Sequence, residues 1–211
     1  MKMVVMLNCG LVMSLFSGCM KIVMAVSGVH QPEKETKESI VEFCEKKGID
    51  TAGMLMISES WFFPMFYEEL NLSLLFDHNG YSVNFNKTSI NPECSGNIFA
   101  VLNDLKNADN FPRDSSRTIA KERERWVYLP SKGKFEEPLP GNYEFVIVYY
   151  WNKFSGNPNH RNHIRELKKA VFLNPDVSIR LILVNQDMRS DVDYESWYNE
   201  YLNSKPTVTP Q

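Results

Sequence analysis

Three sets of side chains in this sequence are of types that do chemistry. His160-Arg-Asn-His163 places two imidazoles three residues apart. On a helix, residues i and i+3 share a face, so both rings can reach one metal ion. Asp187 follows a later apolar run, and ligands gather at the carboxyl ends of strands in open α/β sheets. A His160–His163–Asp187 metal site is therefore geometrically conceivable. The competing reading is two exposed histidines near a helix N-terminus. The second set is a pair of thiols, Cys44 and Cys94. An oxidising compartment would permit a disulfide between them, but their separation along the chain fixes no distance. Two buried free thiols is the equal alternative, since Cys44 falls on the apolar side of an expected helix. The third is Ser155, which lacks the Gly-x-Ser-x-Gly elbow of a hydrolase nucleophile. No base stands at a fixed spacing to activate its hydroxyl. Gly80 and Gly156 stand alone, so no phosphate-cradling loop is present. No carboxylates pair in a supporting context.

Composition narrows the function classes. The chain has 211 residues, enough for one domain with a proper core or two small ones. A net charge of −3 gives no basic footprint and argues against a nucleic-acid partner. Four Trp, nine Tyr and thirteen Phe supply large buried areas for a well-packed interior.

The elements that must position these residues centre on 144–187. Residues 144–151 are a nearly unbroken run of β-branched and aromatic side chains, and 152–159 are turn formers. Residues 160–174 read as a helix and 177–185 as a second apolar strand. Strand, loop, helix and strand make one βαβ unit, with strands apolar enough to be buried on both faces. Upstream, 36–47 reads as an amphipathic helix stopped by Gly48. Residues 54–57 are a short strand, and Pro64 is expected to break regular structure in the aromatic stretch 59–70. Asn79-Gly80 between two apolar runs is a hairpin signature, with Tyr81, Val83 and Phe85 alternating on the second strand. A helix is expected over 97–106. Residues 108–142 read as a linker containing a short solvated helix of alternating charge. The last helix, 193–202, carries Tyr194, Trp197, Tyr198 and Tyr201 as a docking face.

The first residues are set apart from the fold. A short positive start, an apolar run and Phe16-Ser-Gly-Cys19 resemble a bacterial lipobox. That resemblance implies a signal peptide over 1–18, lipidation of Cys19 and a tether over 19–35. The acyl chains would anchor the protein to a membrane of the cell envelope.

Residues 145–151, then Phe154-Ser-Gly156, then a helix containing Arg165-Glu-Leu167 resemble a thioredoxin-like domain, most similar to membrane-anchored thioredoxins of the bacterial envelope. In that family an apolar strand ends in an aromatic-Trp pair, and a short loop delivers Cys-x-x-Cys to a helix. Tyr150-Trp151 matches the strand end, while Ser155-Gly156-Asn157-Pro158 stands in place of the two cysteines and their spacer. The hairpin around Asp77–Gly80 and the helix from Asn97 resemble the C-terminal half of such a domain. The halves thus occur in swapped order, 36–107 before 143–203, with 204–211 as a tail. Either the chain is circularly permuted or it holds two incomplete domains.

The expected fold is α/β, a thioredoxin-like sheet with flanking helices. Disulfide exchange needs a thiolate and a resolving thiol, and Ser155 is neither. The leading functional expectation is a redox-inactive binding or scaffolding lipoprotein facing the periplasm. It would hold a protein or peptide at the surface of Tyr150, Trp151, Phe154, Ser155, Gly156, Asn157 and Pro158, with no cofactor. The enzyme alternative is a thiol–disulfide oxidoreductase working through Cys44 and Cys94, which requires one of them to be exposed with a depressed pKa.

Overall fold

Residues Phe145–Trp151 form the central strand, and every side chain along it is buried. The computed structural model of the chain describes residues 32–51, 53–68, 73–84, 97–102, 105, 111–129, 141–154 and 157–204. In chain order the elements are α1 (Lys37–Lys47), β1 (Leu55–Ile57), a 3₁₀ turn (Glu59–Trp61) and α2 (Phe62–Glu68). Next come β2 (Ser73–Asp77), β3 (Tyr81–Val83), α3 (Asn97–Leu102), β4 (Arg113–Thr118), α4 (Ile119–Arg123) and β5 (Trp126–Tyr128). The chain then runs through β6 (Phe145–Trp151), α5 (Asn157–Phe172), β7 (Ile179–Asn185) and α6 (Tyr194–Ser204). The strands make one seven-stranded mixed sheet in the order β4-β3-β2-β6-β7-β1-β5. β6, β7 and β1 are mutually parallel. β2 is antiparallel to β6, so both halves of the sequence share one sheet.

Alternation along β6 divides the interior in two. Ile147, Tyr149 and Trp151 face a core built with Ile40 and Cys44 of α1, Leu102 of α3, and Ile164 and Leu167 of α5. Val146, Val148 and Tyr150 face the other, with Phe62 and Met65 of α2, Ile119 of α4 and Tyr194 of α6. A period-two strand buried on both faces must be apolar at every position, and this one is. α1 ends where Gly48 takes a left-handed φ of 65°, as its position after the last periodic residue requires. Among the described residues no helix is long and apolar enough to cross a membrane.

Several expectations are corrected. Pro64 does not break the aromatic stretch: it lies in the first turn of α2, where its missing N–H has no intrahelical partner to lose. The stretch read as a linker, 108–142, supplies both edge strands, β4 and β5. β4 escapes notice because Arg113–Thr118 is polar throughout, a composition suited to an edge exposed to water. In the hairpin, Val83 is buried as expected, but Tyr81 is exposed. A register shift between Tyr81 and Ser82 in the pairing with β4 breaks the simple alternation. Phe85 lies outside the described residues. The stripe on α6 docks as expected, with Tyr194 against Phe62 and Tyr198 against Phe63.

The helix of alternating charge is not fully solvated, because Glu122 is buried. Its Oε2 accepts from the Tyr150 hydroxyl at 2.7 Å, and its Oε1 from Arg117 Nε at 2.9 Å. Trp126 Nε1 donates to the same Tyr150 hydroxyl at 3.0 Å. Burial, followed by the Glu122 charge, holds the Tyr150 hydroxyl well above the ordinary tyrosine range. This network ties the edge segment 117–126 to the central strand. Removing one partner leaves buried polar groups unsatisfied. We therefore expect Glu122→Ala to cost about 4 kcal/mol in chemical denaturation, the scale for breaking a buried ion pair. Glu122→Gln, which keeps an acceptor for Tyr150, should cost about half as much. A loss below about 1 kcal/mol for Glu122→Ala would show the network to be energetically idle.

Candidate functional site

The parallel strands β6, β7 and β1 end at one edge of the sheet, and a buried polar cluster sits there. Asn152, Asn185, Gln186, Asp187 and Arg189 are all nearly inaccessible to solvent. Asp187 caps the chain as it leaves β6: the Lys153 amide donates to both carboxylate oxygens, at 2.9 and 3.1 Å. Asn185 Nδ2 donates to Asp187 Oδ2 at 2.8 Å, and the Asp187 amide donates back to Asn185 Oδ1 at 3.1 Å. Burial pushes the Asp187 carboxyl up to about 6, against the opposing effect of these hydrogen bonds. The segment before α1 closes the cluster. Glu35 forms a parallel bridge with Arg189, and its carboxylate pairs with Lys153 Nζ. Arg189 donates to Asp191 through Nε at 2.8 Å and stands 3.8 Å from the Glu59 carboxylate. What reads in the sequence as a charged loop is thus an interior latch between the strand ends and residue 35.

The candidate chemical residues do not converge here. Tyr150, Trp151 and Phe154 are buried, so their side chains are core rather than the surface expected of them. A strand buried on both faces leaves its last residues no route to solvent. Asn157 and Pro158 open α5, with Pro158 in the first turn where it is tolerated. Ser155 and Gly156 lie outside the described residues, as do Cys19 and Cys94. His160 lies on α5, and its side chain is not among those described. His163 is half-buried, its Nδ1 3.3 Å from the Tyr149 hydroxyl and its ring 5.6 Å from that of Phe99. Burial lowers its pKa. His163 and Asp187 thus make contacts with different neighbours. Among the described residues no group of three His, Cys, Asp or Glu side chains could hold a metal ion. Cys44 is a free thiol with no accessible surface. Burial, then the Asp187 charge, pushes that thiol up to about 12.

A feature the sequence reading missed lies beside β7. A cavity of about 450 Å³ runs along this strand, walled by Val171 of α5, Met54 before β1, Tyr143, and Ile179 to Leu183. That volume is in the range of ligand sites. Trp151 lines it, and the buried Trp151 Nε1 has no hydrogen-bond partner among the described residues. An orphaned buried donor costs about 1–3 kcal/mol unless something accepts from it. The signal was in the strand lengths: β7 is seven residues long and its neighbour β1 only three.

Comparison with family models, curated proteins and solved structures finds no match to this chain. The site has to be read from its own geometry.

The Asp187 carboxyl gives that geometry a measurable signature. Between its unfolded value near 3.8 and its folded value of about 6, the folded chain holds a proton that the unfolded chain has released. Its contribution to stability therefore falls as pH rises through that window. Asp187→Asn should remove this slope, gaining roughly 2–3 kcal/mol on the native protein between pH 4 and 7. Urea unfolding of both proteins across that range checks it. Parallel curves would mean that the Asp187 carboxyl titrates normally.

Proposed function

We propose that the chain is a redox-inactive, thioredoxin-like binding or scaffolding lipoprotein of the bacterial cell envelope. It is lipidated at Cys19, faces the periplasm, and holds a protein or peptide partner. The observation that carries this reading is chemical. Where the resemblance places a dithiol, the chain has Ser155 and Pro158. Cys44, the one cysteine among the described residues, is buried with its thiol pushed up to about 12. Such a thiol carries almost no thiolate at neutral pH and has no path to a substrate disulfide.

The arrangement of strands supports the thioredoxin-like part of the reading. A parallel strand–loop–helix–strand unit, β6-α5-β7, has a first strand ending in Tyr150-Trp151. An antiparallel hairpin, β2-β3, is followed by helix α3, as in the C-terminal half of the family resemblance. Direct pairing of β2 with β6 favours one permuted domain over two partial ones. With the reaction chemistry missing and a ligand-sized cavity present, binding is the function that remains.

Differential alkylation of the full chain, mapped by mass spectrometry, tests the reading. Cys44 should resist labelling in the native protein and label fully once unfolded. No reversible Cys44–Cys94 disulfide should form under mild oxidation. Rapid native labelling of Cys44, with a disulfide that forms and reduces reversibly, would overturn it in favour of an oxidoreductase.

A further inference from the structure

β7 lies inside the sheet, yet β1 pairs with it only at Val184 and Asn185. The Gln186 amide donates to the Trp151 carbonyl, and the Ser178 carbonyl accepts from the Phe145 amide. The even-numbered residues of β7 therefore turn their backbone groups toward β6. By alternation, Ile179 and Leu181 turn theirs the opposite way, where no strand lies among the described residues. The cavity occupies that side. β1 would run alongside if the chain before it were extended, but it turns off at Gly53, where φ is 69°. Consecutive residues of β7, Ile179 to Leu183, line the cavity. The gap is thus a notch cut into the sheet, at the level of the strands. Ile179, Leu181 and Leu183 are only partly buried, although their strand is internal.

We propose that this notch takes an extended peptide segment of a partner protein, added as a strand beside β7. The proposal rests on the reading of the chain as a binding module and names its ligand class. Backbone N–H and C=O groups presented at strand spacing are matched by another peptide backbone. A fatty acid or other small apolar ligand offers no such alternation of donors and acceptors. The walls are mixed, with Ile179, Leu181 and Val171 beside Asp50, Lys168 and Arg180, and so suit an extended segment whose side chains alternate between apolar and polar. β-Branched residues, which favour extended backbone, alternating with polar ones are the preferred occupant.

The test uses the full chain, isotope-labelled, with a capped Val-Thr-Val-Thr-Val peptide as the probe. The peptide should slow amide hydrogen exchange at Ile179 and Leu181 at least tenfold, while amides of β2 and β3 are unchanged. The same peptide with alternate nitrogens methylated should give no protection. Val171→Arg, which places a long charged side chain into the cavity from a partly exposed helix position, should abolish the effect in a protein whose β2 and β3 amides exchange as in the parent. Failure of the peptide to protect these amides at millimolar concentration would overturn the proposal. So would equal protection by the methylated peptide, or protection by octanoate in place of the peptide. Alkylation of Cys44 reports separately on the redox-inactive reading, so failure of one is distinguishable from failure of the other.

Discussion

The burial of β6 on both faces is the constraint on which the rest of the structure depends. A strand enclosed in this way must satisfy its backbone wholly within the sheet. β6 pairs with β2 over Phe145–Tyr149 on one side and with β7 along its full length on the other. Its side chains must also fill two separate cores. Phe145, Ile147, Tyr149 and Trp151 enter one, and Val146, Val148 and Tyr150 the other. Burying one aliphatic or aromatic side chain stabilises by about 1.5–3 kcal/mol, so a seven-residue run of them holds two layers of helices to one sheet. The price is that the polar ends of the buried aromatics need partners. Tyr150 finds Glu122 and Trp126. Trp151 finds a ring, that of Phe43 stacked 5.8 Å away, but no acceptor for its N–H among the described residues.

The proposed function turns on where that enclosed strand stops. At the carboxyl ends of β6 and β7 the chain must leave a dry interior, and it does so through groups that satisfy one another. Asp187 accepts the Lys153 amide, and Glu35 pairs with the Lys153 ammonium. Just beyond this point Ser155 follows Phe154. The polar cluster has a structural occupation, fastening residue 35 across the strand ends. The open valences of the fold lie instead at the side of β7, where backbone groups face the cavity lined by Ile179 and Leu181.

Much of this fold was legible in the sequence, because its signals were local. The apolar run of β6, the Asn79-Gly80 turn, the Gly48 stop and the aromatic stripe of α6 each depend on near neighbours. The edge strand β4 was not legible, since Arg113–Thr118 carries no apolar pattern and exists only by pairing with β3. The burial of Glu122 was hidden for a similar reason: among the charges of 121–125 nothing marks the one that meets Tyr150. At the site, the sequence revealed Ser155-Gly-Asn-Pro158 where the resemblance places two cysteines. It did not reveal the notch, which arises from a mismatch in length between two strands far apart in the chain. Tyr150 and Trp151 were found as key positions, but their side chains serve the cores rather than a surface.

The central proposal is that Ser155-Gly-Asn-Pro158 stands where the thioredoxin-like resemblance places a dithiol. Restoring it is the most direct test. In a full chain carrying both Ser155→Cys and Pro158→Cys, the account predicts a disulfide within the turn that forms readily and exchanges with glutathione. The Ser155→Cys thiol should titrate below the ordinary cysteine value of about 8.5, as expected for a thiol in a Cys-x-x-Cys motif at a helix N-terminus. Two cysteines that stay reduced under mild oxidation, or that titrate normally in a folded protein, would contradict the account. The resemblance would then stop at the pattern of β6, and the proposed redox-inactive reading would lose its support from it.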